Sequence, residues 1–251
     1  MSSQLHFDVD EERNKVIYNL LNNTVRAWPF SHIVYPSLWP SDLYDEVIRC
    51  LPTKTQLSPI KEKRPVRGYD SRYVLCFEDH DLAALDERRR ILWSLVRELF
   101  LGGDKALLKA FFKSYKPQIE QQYGVGMKYK LKDELLLVND RKNYSLGPHT
   151  DSPIKFITFL MYLPLQSGVK DQGTSLYIPK ARNFVCKGGP HHQRSDFDLV
   201  FTAKNAPNTG LSFLKNERSF HGVEPHPEDD TNRWLLLYDI QLAGKPESED
   251  S

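Results

Sequence analysis

Gly147-Pro148-His149-Thr150-Asp151-Ser152-Pro153 is the stretch on which the reading of this chain turns. Far downstream stand Ser219-Phe220-His221-Gly222-Val223-Glu224-Pro225 and then Asn232-Arg233-Trp234. Alternate residues of an extended strand point to the same face. His149 and Asp151 can therefore reach one metal from a single strand end, with Thr150 turned away. The third ligand has to come from another strand, and His221 sits in a strand-like His-x-Val. Two imidazoles and one carboxylate, with no thiolate, form a facial ligand set that leaves three coordination positions open. Such a set suits non-haem Fe(II) that activates oxygen. His-x-Asp alone occurs often by chance; its combination with His221 and Arg233 is what makes it specific.

The other histidines compete poorly. His191-His192 follow Gly188-Gly189-Pro190 and read as an exposed loop, and His226 lies between Pro225 and Pro227. Arg233 opens the strongly apolar run from Trp234 to Ile240, so its strand is buried on at least one face. A buried guanidinium needs an anionic partner. A carboxylate gives it a bidentate, charge-assisted pair.

Working outward, short apolar runs recur from about residue 129: 135–138, 156–163, 199–201, 211–214 and 234–240. Short strands separated by turn residues imply an antiparallel double-sheet roll. Before them the text has a helical period. Val16, Ile17, Leu20, Leu21 and Val25 make one stripe over 8–25. Phe30 to Tyr35 reads as a strand, and a helix follows to about Cys50, with Ser41 as its expected N-cap. Residues 53–70 are rich in proline and charge and read as a loop, and 72–77 as a strand. Helices are expected over roughly 81–101 and 103–123, parted by Gly102-Gly103. The expected class is α+β: a jelly-roll core over about 129–242, with an N-terminal helical layer over about 1–128 packed on its major sheet. All of 1–251 is read as one domain, with 243–251 as a flexible tail.

At these residues the chain resembles the 2-oxoglutarate and Fe(II)-dependent oxygenases, and within them the prolyl-hydroxylase-like branch. The resemblance spans roughly 134–242. It rests on His149-Thr150-Asp151, the strand from Phe156 to Pro164, Gly173-Thr174-Ser175-Leu176-Tyr177, and the module from His221 to Arg233. It implies a double-stranded β-helix and three cofactors: Fe(II), 2-oxoglutarate as co-substrate, and O2. Iron would be held by His149, Asp151 and His221. Arg233 would pair with the distal carboxylate of 2-oxoglutarate, with Tyr162 and Asn139 as further candidate contacts. The implied reaction is hydroxylation of an unactivated C–H, with succinate and CO2 as co-products.

Composition narrows the class. The 251 residues are 40% hydrophobic and 27% charged, an ordinary globular balance. A formal net charge of +1 offers no general pull towards nucleic acid or an anionic membrane. Three cysteines, far apart in sequence, form no disulfide framework and point to a reducing compartment. No signal peptide or membrane span is visible, so the expected location is cytoplasmic.

Substrate contacts are expected from the loops. Arg64, Arg67, Tyr69 and Arg72 place cations and an aromatic ring near the roll's open end. Arg141 and Lys142 precede the His-Thr-Asp strand, and Thr174, Ser175 and the 183–197 loop follow it as further candidates to line the pocket. A small polar metabolite, such as an amino acid, a sugar or a natural-product intermediate, is the favoured substrate class, because no peptide-binding module is attached. A hydroxylase of peptide or protein side chains, a cupin-like metal enzyme without 2-oxoglutarate, and a non-catalytic metal-binding roll remain the alternatives.

Overall fold

The computed structural model describes residues 7–64, 69–141, 144–165, 173–225 and 232–248. Seven helices belong to the N-terminal half: α1 (Val9–Leu21), α2 (Ser41–Arg49), α3 (Ile60–Lys63), α4 (Asp79–Ala83), α5 (Glu87–Leu101), α6 (Ala106–Ser114) and α7 (Lys116–Tyr123). Interleaved with them are the strands β1 (His32–Tyr35), β2 (Ser58–Pro59) and β3 (Arg72–Leu75). Strands then dominate: β4 (Met127–Lys128), β5 (Leu131–Asp140), β6 (Leu146–His149), β7 (Lys155–Tyr162), β8 (Ser175–Pro179), β9 (Phe197–Thr202), β10 (Gly210–Leu214), β11 (His221–Val223), β12 (Arg233–Leu242) and β13 (Glu247–Ser248).

Two antiparallel sheets carry the architecture. The larger has the order β1-β10-β7-β12-β5-β3-β2, and the smaller β6-β11-β8-β9. From β5 to β12 the chain passes back and forth between them. The central strands of the larger sheet are apolar on both faces, which is why they read as runs and not as alternations. Leu135, Leu137, Ile157, Phe159, Met161, Leu236 and Tyr238 belong to one cluster with the helices, through Trp93, Phe100, Phe111 and Tyr115. Leu136, Val138, Leu160, Tyr162 and Leu235 turn the other way and join Leu176 of the smaller sheet.

Phe159 shows how tightly the helical layer is seated. Its ring centroid lies 5.1 Å from that of Phe111 and 6.3 Å from that of Phe100. Truncating such a fully buried ring to alanine costs about 3–5 kcal/mol, because the rigid surroundings leave a cavity. The helices therefore fix the back of the sheet whose other face carries the site.

Several expectations are corrected. Ser41 is the first helical residue and not the N-cap; Pro40 holds that place without a side-chain cap. The first long helical stretch is split in two. α5 begins behind Asp86, whose carboxylate accepts from Arg89 N. The second stretch breaks between α6 and α7 at Tyr115. The supposed loop 53–70 contains α3 and β2, and β2 adds an edge strand to the larger sheet. Within the supposed tail, Glu247 and Ser248 pair with Lys128 and Met127.

Candidate active site

β6 ends at His149 and β11 begins at His221, and antiparallel register sets the two directly opposite each other. Their ring centroids are 4.4 Å apart. His149 Nδ1 lies 3.0 Å from Gly147 O, and His221 Nδ1 lies 3.0 Å from Ser219 O. A carbonyl only accepts, so each Nδ1 carries a proton and each Nε2 is the ring nitrogen left to face a metal. Asp151 lies just beyond β6. Its Oδ2 accepts from the Thr158 hydroxyl at 2.8 Å, and its Oδ1 sits 3.8 Å from His221 Nε2. One ligand atom from each of the three lies within 4.8 Å of the others.

The electrostatics suit a cation. Burial pulls the His149 imidazole well below its ordinary pKa, and the neighbouring His221 pulls it further. His149 is therefore neutral near pH 7, as a metal ligand must be. Burial pushes the Asp151 carboxyl up, but His221, the Lys155 ammonium and the Thr158 hydroxyl outweigh it and hold Asp151 ionised. Thr150 does turn away: its hydroxyl donates to Cys186 O at 2.8 Å. That contact, with His192 N donating to Pro148 O at 2.8 Å, straps the 186–192 loop across β6. Gly188 makes the close passage possible. A Cβ there would stand 2.4 Å from Asp151 O, and its φ is +137°.

A second register feature builds an anion pocket. Asp140 of β5 faces Arg233 of β12 on one side and Arg72 of β3 on the other. Arg72 grips Asp140 through two hydrogen bonds, 2.7 Å from Nε and 2.9 Å from Nη2. Arg233 Nη1 donates to the same carboxylate at 3.0 Å, and its Nη2 reaches Thr174 Oγ1 at 3.4 Å. Arg233 is 4% exposed, yet its Nε has no partner among the described residues. Two guanidiniums share one carboxylate, so the row is one negative charge short. An uncompensated buried ion costs several kcal/mol, which makes this a place for a ligand's carboxylate. Tyr144 and Tyr69 flank the Arg72 guanidinium, with ring centroids 4.6 Å and 5.4 Å away.

Metal cluster and anion row share one cavity of about 370 Å³. Of the residues expected to contact ligands, Arg64, Tyr69, Arg72, Thr174 and Arg233 line it with the triad. Tyr162 does not. It is fully buried beneath Arg233, 5.6 Å from guanidinium to ring centroid, and its hydroxyl accepts from Thr174 N at 3.0 Å. It thus supports Thr174 from behind.

Asn139 and Arg141 are corrections. They flank Asp140 in sequence, and strand alternation sends them to the opposite face of the sheet. There Asn139 donates to Asn232 and accepts from Arg141 Nε at 2.8 Å. The Arg141 guanidinium lies 3.5 Å over the Tyr73 ring. Arg67, Lys142 and His226 lie outside the described residues.

Asp140, Lys155 and Asp239 stand outside the expectations from sequence, whereas His191 belongs to the 183–197 loop expected among the substrate determinants. Asp140 ends a run that reads as core, and only the pairing with Arg72 and Arg233 gives it a role. Lys155 Nζ lies against Asp239 Oδ2 on the cavity wall. His191, expected in an exposed loop, brings its ring 4.6 Å from that of His149 and lines the cavity. The signal that could have found it is Gly188-Gly189, two positive-φ residues that let a loop fold back on β6.

No family model matches the chain, and no curated protein does. Solved structures do show a likeness. A prolyl-4-hydroxylase from Pseudomonas putida is 14% identical, with a TM-score of 0.45 over 92% of this chain and 100% of that one. An oxidoreductase of the 2OG-Fe(II) oxygenase family from Burkholderia pseudomallei is 13% identical, with a TM-score of 0.48 over 96% and 95%. HygX from Streptomyces hygroscopicus, solved with nickel and 2-oxoglutarate bound, is 13% identical, with a TM-score of 0.44 over 84% and 83%. At these scores the likeness carries no functional argument, and the chain's own residues have to supply it. In the chain itself, the two histidines and the aspartate of the His149-Thr150-Asp151 and His221 motifs stand as one metal-sized cluster.

Proposed function

We propose that this protein is an Fe(II)- and 2-oxoglutarate-dependent dioxygenase that hydroxylates an unactivated C–H of a small polar metabolite. Its core is read as a double-stranded β-helix, with the two antiparallel sheets as its walls and the helical layer as part of the same domain. The observation that carries the function is the pairing of two features in one cavity: a cluster of two histidines and one aspartate of metal-binding size, and a buried guanidinium row lacking one anion. Fe(II) would be held by His149, Asp151 and His221. The distal carboxylate of 2-oxoglutarate would pair with the Arg233 guanidinium, with Thr174 beside it. When bound, metal and co-substrate supply the oxidising chemistry, turning 2-oxoglutarate and O2 into succinate, CO2 and one inserted oxygen atom.

The chain's own work is orientation and exclusion of water. Thr158 holds the Asp151 carboxylate at a fixed angle, and the Gly147 and Ser219 carbonyls fix both imidazole tautomers. The Gly188–His192 loop narrows the approach to the metal side. The cavity falls in the usual size range for small-molecule sites, roughly 300–1,000 Å³, which favours a metabolite over a protein side chain.

The test is an anaerobic titration of metal-free protein with Fe(II) and 2-oxoglutarate, watching for the weak visible charge-transfer band of the chelate. The expected result is a band in the native protein and none in His221→Ala. Metal binding without any 2-oxoglutarate-dependent band would discard the reading in favour of a cupin-like metal enzyme.

A further inference from the structure

Lys215 directly follows β10 and is 5% exposed. Its backbone is clamped on two sides. The N–H donates to Phe156 O at 2.9 Å, and the carbonyl accepts from Gln122 Nε2 at 2.9 Å. Among the described residues its ammonium forms no ion pair. It donates instead to two backbone carbonyls, Lys187 O at 2.9 Å and Asn216 O at 3.2 Å. Burying an ammonium without a carboxylate partner is costly, so stability alone does not account for this lysine. The two carbonyls belong to the backbone segments that support two of the three metal ligands.

Asn216 opens the turn that orients His221. Ser219 Oγ donates to Asn216 O at 2.8 Å, and Ser219 O accepts the Nδ1 proton of His221 at 3.0 Å. Lys187 immediately precedes Gly188, the residue packed on the Asp151 backbone. One ammonium thus ties the turn behind His221 to the segment lying on Asp151. Cys186 and His192 are pinned to Thr150 and Pro148. Between them, the Lys215 contact is the one hydrogen bond made by residues 187–191 among the described residues. Gly188 and Gly189, with φ of +137° and +126°, give that stretch little stiffness of its own. The Lys187 side chain is exposed, so the segment is held there by its carbonyl.

We propose that Lys215 is a positioning residue of the metal centre: it braces the His221 turn against the Lys187-Gly188 segment, so that His221 and Asp151 keep their mutual geometry. This rests on the metal-binding part of the oxygenase reading above. The charge of the ammonium works against the same centre. Burial lowers the Lys215 pKa and the field of Asp151 opposes that fall, so the lysine feels the site, and a cation there repels a metal ion. Loss of the charge by itself would tighten metal binding. Loss of the brace would weaken it, by the roughly 10–100-fold typical of contacts that orient metal ligands. The sign of the change separates the two effects.

The test compares full-length native protein with Lys215→Met, a neutral side chain of similar length, by two readouts. The first is limited digestion of the metal-free protein with trypsin, followed by mass spectrometry. The Lys187 side chain is exposed, but the bond after it is cut only when the segment leaves the surface. The bond after exposed Lys204 is the internal reference. In the native protein the Lys187–Gly188 bond should be cut about tenfold more slowly than the reference, the scale of one hydrogen bond to a charged group. The variant should lose that protection. The second readout is calorimetric titration with Ni(II). The variant should bind about tenfold more weakly, the low end of the range, because relieved repulsion offsets part of the loss. Arg218→Met is the control. Arg218 Nη2 donates to Arg182 O at 2.7 Å and ties the same turn elsewhere, so its loss should leave Ni(II) affinity unchanged. Native protein cut as fast after Lys187 as after Lys204 overturns the proposal without any variant. So does Lys215→Met with native protection, or with Ni(II) affinity equal to or tighter than native, and so does an equal loss of affinity in Arg218→Met. Absence of Ni(II) binding by the native protein would instead overturn the metal-centre reading beneath it, with the digestion still reporting on the brace.

Discussion

Arg233→Met separates the anion pocket from the scaffold, and its size can be worked from the contacts. Arg233 meets Asp140 at 3.0 Å, but Arg72 holds the same carboxylate by two hydrogen bonds of 2.7 Å and 2.9 Å. Removing Arg233 leaves a neutral, bidentate Arg72–Asp140 pair. Without ligand the variant should therefore unfold in urea within about 1 kcal/mol of the native protein, because the surplus buried charge has gone with its contacts. The loss falls on 2-oxoglutarate. Truncating one partner of a buried, hydrogen-bonded charge pair costs about 2–5 kcal/mol. That is from about 30-fold to a few thousand-fold in Kd.

The assay is calorimetric titration of Ni(II)-loaded protein with 2-oxoglutarate and with 2-oxobutyrate, which keeps the oxo-acid end but lacks the distal carboxylate. The native protein should prefer 2-oxoglutarate strongly. The variant should bind the two nearly alike, with 2-oxobutyrate affinity unchanged from native. If the ratio of the two affinities is the same in variant and native protein, Arg233 does not bind the distal carboxylate and the reasoning fails.

Other perturbations probe other parts of the site. His149→Ala and His221→Ala should each abolish metal binding, seen in metal-content analysis, and succinate release; normal turnover in both would remove the triad. Asp140→Asn leaves Arg72 and Arg233 buried without a counter-charge and should cost about 3–5 kcal/mol in urea unfolding, partly regained with metal and saturating 2-oxoglutarate. A loss under about 1 kcal/mol would show that the row is not buried as described. Gly188→Ala should displace the Asp151 backbone and weaken metal binding; an unchanged metal affinity would show that the 186–192 loop shifts freely.

The pH dependence has a defined sign. His149 has its pKa depressed by folding, so its stabilising contribution is present above the ordinary histidine pKa of about 6.5 and is lost as pH falls below it. The metal-free protein should show a falling Tm from pH 7 to pH 5, and a flat profile would contradict a buried, neutral His149.

Much of the scaffold is written locally. The runs at 135–138, 156–163 and 234–240 announce β5, β7 and β12, because a strand buried on both faces has to be apolar throughout. His149, Asp151 and His221 are legible as one set for a related reason: alternation puts the first two on one face, and the ligand types narrow the metal. The element boundaries around α4 to α7 were less legible. Asp86 and Tyr115 act as a cap and a break that the apolar stripe does not reveal.

The sequence alone determined that two histidines and an aspartate could meet, and that Arg233 had to find an anion. What lay beside Arg233 was decided by register. One step along β5 separates Asp140, locked between two arginines, from Asn139 and Arg141, which face the other side of the sheet. Lys155 and Asp239 likewise sit far apart in the chain and meet only where β7 pairs with β12. Periodicity along one strand fixes which residues share a face. Which residues of different strands share a cavity depends on how the strands pair across the sheet, and no single segment carries that information.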